Sequence, residues 1–221
     1  MFPFPFSFFG AVAEPPELEL IDNNFAMSFD AGSSEYIESP DNAALQITDD
    51  LTVSAWVYPL NKSGINTVVD KFYDNSKRAW LTRVQSSRFK VTLSNTDGSA
   101  SANYQTNTAL TNNAWHHLLF TFNNTTNEVN LYINGVLDSA SPHTKTDLIS
   151  VNTQPLRIGG GYNLNNFFDG DIDEVAIWNR ALEATDVQRI YNATNDNPGK
   201  TANLWSAGLN TGLVYWNRMG D

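Results

Sequence analysis

The densest cluster of reactive side chains in this sequence is Asp169-Gly170-Asp171-Ile172-Asp173-Glu174, four carboxylates in six residues. Carboxylates grouped in this way suggest either general acid–base cleavage of a glycosidic bond or coordination of a hard cation. Cleavage requires two carboxyl groups facing each other across the bond, about 5–5.5 Å apart for retention and roughly 6.5–9.5 Å for inversion. A hard cation such as calcium wants six to eight oxygen ligands from carboxylates, backbone carbonyls and water. The histidines offer little to either chemistry. His116 and His117 are consecutive, so on a strand they point to opposite faces and cannot chelate one ion together, and His143 stands alone. No Ser-His-Asp spacing is present, and all three histidines read as structural. The chain has no cysteine, which excludes a disulfide framework, a thiolate nucleophile and a Cys-ligated zinc.

A second pattern is aromatic side chains set among Asn and Asp. Sugar rings present apolar patches and hydroxyls together, so a protein that holds them combines aromatic faces with amides and carboxylates. Tyr73, Trp80, Tyr104, Tyr162, Phe167 and Phe168 fall in or near polar loops with such neighbours, Asp74, Asn75, Asn103 and Asn163 among them. Tyr162, Asn165, Asn166, Phe167 and Phe168 are the glycan-contact candidates, with Phe167-Phe168 the strongest. Trp56, Trp115 and Trp178 lie mid-strand and read as core.

Short strands must carry these residues. Candidates are 26–29, 36–37, 51–58, 68–72, 79–84, 89–93, 115–122, 128–133, 156–158 and 172–178. Leu51, Val53, Ala55 and Val57 alternate with Thr52, Ser54, Trp56 and Tyr58, the period of a strand with two distinct faces. Asn134-Gly135 between Tyr132-Ile133 and Val136-Leu137 is a strong hairpin signal. Thr185-Asp186-Val187-Gln188 reads as a capping box, opening a short helix with Val187, Ile190 and Tyr191 on its apolar stripe. Many short strands with frequent polar turns predict an all-β, two-sheet antiparallel jelly-roll sandwich with one short helix.

At 221 residues there is room for one good core. Only 17% of residues are charged and the net charge is −11, which argues against a nucleic-acid partner, since phosphate binding needs clustered Lys and Arg. No apolar run after residue 9 approaches the ~20 residues of a membrane span, so no membrane insertion is expected.

The sequence begins with an arm of different character. Phe2, Phe4, Phe6 and Phe8 alternate with Pro3 and Pro5, and Phe9 follows. The prolines strip N–H donors from one edge of an extended chain, leaving a strand that could pair on one side only. Ala11-Val12-Ala13 is similar to a small-residue cleavage site, but no basic segment precedes it and the prolines interrupt the apolar stretch. The expected organisation is an anchoring arm over 1–16, a jelly roll over 17–196 and a docked C-terminal tail over 197–221. The arm implies a protein partner or self-assembly.

Several segments are familiar in order. Met27-Ser28-Phe29-Asp30 with Tyr36-Ile37, Leu51 to Pro59, Trp115-His116-His117-Leu118, Leu131-Tyr132-Ile133-Asn134-Gly135 and Phe168 to Leu182 resemble the five signature segments of LamG-like domains of the concanavalin A-like lectin/glucanase superfamily. The closing Tyr215-Trp216-Asn217-Arg218-Met219-Gly220-Asp221 is similar to a segment that follows such domains in phage structural proteins.

The resemblance implies a jelly roll and, in most relatives, binding rather than catalysis. Glucanases of the superfamily carry a Glu-x-Asp-x-(x)-Glu pattern. The segment at Asp169–Glu174 lacks its second Glu, so no catalytic residue is assigned and the chain reads as non-enzymatic. Relatives hold calcium at the sandwich rim, a role that transfers to Asp30, the backbone near Gly32, and Asp173. The first motif is one residue longer here. The leading expectation is a non-catalytic structural or decoration protein on an extracellular particle, a phage virion, held by its arm. The alternative is a calcium-assisted module or adhesin that binds a cell-surface glycan. An extracellular or virion-surface location suits both.

Overall fold

A computed structural model describes residues 16–61, 63–73, 77–162, 165–206 and 208–221. The arm residues Phe2, Phe4, Phe6, Phe8 and Phe9 lie outside this set, as do Asp74, Asn75 and Asn163.

Strands run in chain order as β1 (Leu20–Asp22), β2 (Met27–Phe29), β3 (Ile37–Ser39), β4 (Leu51–Pro59), β5 (Ile65–Asp70), β6 (Trp80–Gln85), β7 (Arg88–Ser94) and β8 (Ser101–Ala109). They continue as β9 (His116–Asn123), β10 (Glu128–Ile133), β11 (Val136–Leu137), β12 (His143–Thr144), β13 (Leu156–Ile158) and β14 (Gly170–Trp178). After helix α1 (Ala184–Asn195) come β15 (Lys200–Ala202) and β16 (Leu213–Asn217). One eight-stranded antiparallel sheet has the order β11-β10-β9-β4-β14-β16, with β12 beside β10 and β2 beside β14. The facing six-stranded sheet runs β3-β13-β5-β6-β7-β8. This is the two-sheet jelly-roll sandwich expected from the strand spacing.

The alternation in β4 decides which side chains meet. Leu51, Val53, Ala55 and Val57 point inward and pack with Phe120, Phe122, Val84, Val91, Ile172 and Ile177 in the inter-sheet core. Thr52, Ser54 and Trp56 point the other way yet are also buried. The reason is a second apolar cluster on the outer face of the eight-stranded sheet. There α1 sets Val187, Ile190 and Ala193 against Leu119, Tyr132, Ala176 and Trp178, and the C-terminal segment adds Leu204, Leu209 and Leu213. Each large aliphatic side chain buried in this way contributes roughly 1.5–3 kcal/mol. The Trp178 indole N–H donates to the Leu209 carbonyl at 2.7 Å, so the one polar atom of that ring is also satisfied.

The helix starts two residues before the expected position. Glu183 is its N-cap and makes no side-chain cap, so Thr185 is helical and the capping-box reading is corrected. Asp186, in the first turn, supports the positive helix end instead, and pairs with Arg180 and Arg189. The Asn134-Gly135 hairpin forms as expected, with both residues at positive φ, joining Ile133 to Val136.

Candidate functional site

On the outer face of the eight-stranded sheet, where α1 stops short of covering it, lies a cleft of about 480 Å³. Three neighbouring strands supply its floor. Trp56 of β4 stands in register with His117 of β9 and with Asp173 of β14. Tyr191 of α1 stacks on Trp56 with ring centroids 5.6 Å apart and planes 17° from parallel. His117 lies beneath both rings, 5.2 Å from Trp56 and 6.1 Å from Tyr191. Its Nε2 is hydrogen-bonded to the Ser54 hydroxyl at 2.8 Å, and burial pushes its pKa down to about 3, so the imidazole is neutral.

The rim is aromatic and exposed. Trp115, just before β9, is 41% exposed, and Phe25 is 64% exposed. Asn23, Asn24, Asn134 and Asn195 bring amides to the same opening. Among the described lining residues none is Lys or Arg.

A β-bulge in β14 places the acid. Register with β4 shifts between Asp173 and Ala176, and Glu174 adopts a left-handed φ of 50°. Asp173 faces the cleft and accepts from Asn23 Nδ2 at 3.0 Å and from the Glu174 N–H at 2.8 Å. Burial raises its pKa to about 6, against the lowering effect of the Asn23 bond. Glu174 does not line the cleft. Its carboxylate accepts from Trp216 Nε1 at 2.6 Å and Arg218 Nε at 3.3 Å, while burial raises its pKa to about 7. The cleft is therefore offered one carboxyl, not a facing pair.

Two buried polar atoms among the lining residues have no hydrogen-bond partner: Asn23 Oδ1, an acceptor, and Trp56 Nε1, a donor. Asn23 sits where it does because the chain end holds its neighbours. Asp221 Oδ2 accepts from the backbone N–H groups of Asn24 and Phe25 at 2.9 and 3.1 Å.

The residues expected to touch glycan lie elsewhere and split by face. Phe168 is 0% exposed and belongs to the inter-sheet core, so its assignment as a contact is corrected; Trp80 and Tyr104 are buried there too. Consecutive extended residues point to opposite sides, and Phe167 is the outward member, half-buried with its ring 6.2 Å from Tyr36. Asn165 and Asn166 are exposed, and the Asn166 carbonyl accepts from the Thr67 N–H at 2.9 Å. Tyr162 and Asn166 line a separate cleft of about 280 Å³ on the outer face of the six-stranded sheet. Trp115, read as core, is instead the exposed edge of the first cleft. It precedes β9, so no strand pairing commits its side chain to the interior.

The expected calcium ligands do not converge. Register pairs Phe29 with Gly170 and Met27 with Ile172, so Asp30 lies toward Asp169 and Asp173 at the opposite end of the pairing. Four residues of strand separate them by roughly 13 Å, whereas two ligands of one calcium ion lie at most about 5 Å apart. The Asp30 carboxylate instead caps a turn, accepting from Gly32 N at 2.8 Å and Ser33 Oγ at 2.7 Å. Among the described residues no three carboxylates or histidines are grouped to hold a metal.

Two antiparallel sheets packed face to face in this order define the jelly-roll class of sandwich. Residues 31–188 match the Laminin_G_3 family model, and the chain belongs to the concanavalin A-like lectin/glucanases superfamily. Among curated proteins no sequence matches it. Among solved structures it is similar to a candidate carbohydrate binding protein from Bacteroides ovatus (TM-score 0.66, 16% identity, 94% of this chain and 53% of that one). It is also similar to the CBM40 of a Ruminococcus gnavus IT-sialidase bound to α2,3-sialyllactose (0.58, 12%, 80% and 100%). A third is domain 4 of AbnA, an extracellular GH43 arabinanase of Geobacillus stearothermophilus, in complex with arabinotriose (0.57, 20%, 78% and 80%). The chain spans about half the length of the first of these relatives. At such identities the likeness establishes the fold. Among the described residues no helix is long and apolar enough to cross a membrane.

Proposed function

We propose that this chain is a non-catalytic carbohydrate-binding module that takes a neutral oligosaccharide in the cleft between α1 and the eight-stranded sheet, acting outside the cell. The observation that carries this reading is the pair of unpartnered buried atoms, Asn23 Oδ1 and Trp56 Nε1, beneath an exposed aromatic rim. A buried polar atom without a partner costs on the order of 1–3 kcal/mol, and a sugar hydroxyl supplies both a donor and an acceptor. Trp115 and Phe25 offer apolar faces to the ring. The absence of Lys and Arg from the described lining, with Asp173 present, favours a neutral ligand over a sialylated one. Similar modules in complex with sialyllactose and arabinotriose support glycan binding in preference to a particle-structural role.

The test is titration of the full chain with arabinotriose, cellotriose and α2,3-sialyllactose, followed by tryptophan fluorescence. A neutral sugar should bind, and Trp115→Ala, which removes an exposed ring, should weaken it about tenfold or more with unchanged thermal stability. Binding of sialyllactose alone, or indifference to Trp115→Ala, would overturn the assignment.

A further inference from the structure

The cleft on the opposite face, over the six-stranded sheet, has its own unexplained polar centre. Asp70, the last residue of β5, is 2% exposed. Its Oδ1 accepts from the Phe72 N–H at 2.5 Å and the Tyr162 N–H also acts on the carboxyl, whereas Oδ2 is buried with no partner at hydrogen-bond distance. Leaving a buried carboxylate oxygen unpaired is costly. Arg83 of β6 lines the same cleft, held flat by Nε donating to Gln85 at 3.0 Å, Nη1 to Thr92 at 2.8 Å and Nη2 to Asn103 at 2.9 Å. Thr92 also donates to Asn103 at 2.6 Å, which closes the network. A guanidinium carries five N–H groups; three are used, so two remain. Phe72 and Tyr162, with ring centroids 5.7 Å apart, form an aromatic wall beside Asp70.

We propose that this cleft is a second carbohydrate site, independent of the first, in which Asp70 accepts from one hydroxyl of a neutral vicinal diol while Arg83 donates to its neighbour. An ammonium ligand is disfavoured because Arg83 and Arg157 both act electrostatically on Asp70, and an anion is disfavoured by the carboxylate itself. Its volume of about 280 Å³ suits a single sugar ring. The two clefts lie on opposite outer faces, so the module would engage two glycan chains at once.

The experiment is proton–nitrogen NMR of the full chain with arabinotriose, cellotriose and lactose at millimolar concentration. The Arg83 Nε–H reports this cleft and the Trp115 indole N–H reports the other. The expected result is a saturable shift of Arg83 Nε–H with at least one probe, unaffected by Trp115→Ala. Asp70→Asn replaces the free acceptor by a donor and should weaken that shift about tenfold. Should Asp70→Asn fail to fold, Asn103→Ala and Tyr162→Ala, both away from the inter-sheet core, should weaken it instead. If Trp115 responds while Arg83 is silent to every probe, the first site stands and the second is overturned. A shift of Arg83 that survives the Asp70 and Tyr162 substitutions overturns it as well.

Discussion

Trp56 and Tyr191, 135 positions apart in sequence, stack with centroids 5.6 Å apart at 17°. This contact fixes where α1 ends its cover of the eight-stranded sheet, and so where the cleft begins. Gly135 makes the contact possible. A Cβ there would lie 2.9 Å from Tyr191 Cδ1, and its φ of +74° is left-handed. Gly135→Ala should therefore displace Tyr191 and cost about 1–3 kcal/mol in urea unfolding. Tyr191→Ala should open the cleft and lower glycan affinity while leaving the inter-sheet core intact.

Three buried carboxyl groups make stability fall as pH rises toward neutrality. Burial raises Asp70 and Glu174 to about 7 and Asp173 to about 6. In the unfolded chain each ionises near pH 4. Between about pH 4 and 7 the unfolded state therefore binds fewer protons than the folded one, and stability declines with pH across that window. Urea midpoints measured from pH 4.5 to 8 should fall, with Asp70→Asn flattening the slope and raising stability at pH 8 by on the order of 2–4 kcal/mol. A midpoint that rises over this range would contradict the assignment of these groups as buried acids.

Arg218 ties the chain end to the bulge in β14. It pairs with Glu174 at 3.3 Å, donates to the Asp22 carbonyl, and stands beside Asp221, which holds Asn24 and Phe25. Arg218→Ala should cost roughly 3–5 kcal/mol at pH 8, because it leaves the buried Glu174 charge without its cation. The cost should shrink at pH 5, where Glu174 is protonated. Hydrogen exchange should show the 22–25 segment loosened in this variant.

Calcium should have no effect on the thermal midpoint. Asp30 and Asp173 are too far apart to share an ion, and Asp30 already accepts from Gly32 and Ser33. Calorimetry in EDTA and in millimolar calcium should give superimposable transitions. A calcium-dependent rise would point to a site built from other residues.

Local signals in the sequence were enough for most of the two-sheet framework, though not for the edge strands β8 and β16. The inward row Leu51, Val53, Ala55, Val57 follows from period two, and the Asn134-Gly135 turn follows from the positive φ those residues tolerate. Strand β8 was not legible, because it is an edge strand in which Tyr104 and Thr106 alone are buried, and no apolar alternation marks it. The cleft over the eight-stranded sheet was not legible, since Trp56 and Trp115 read as core and Asn23, Asn24, Asn134 and Asn195 carry no local signal of a site.

Location was a tertiary matter. Phe168 and Trp115 have the same apolar character, yet one fills the core and the other rims a cleft, since burial depends on which partners cover each face. Trp56, Asp173 and Asn23 converge only because β4, β14 and the segment after β1 are brought side by side, with Asn23 and Asp173 150 positions apart. Strand periodicity is written in near neighbours and can be read from them. A binding site assembled across strands depends on register, bulges and the cover of a distant helix, which no local pattern of residues encodes.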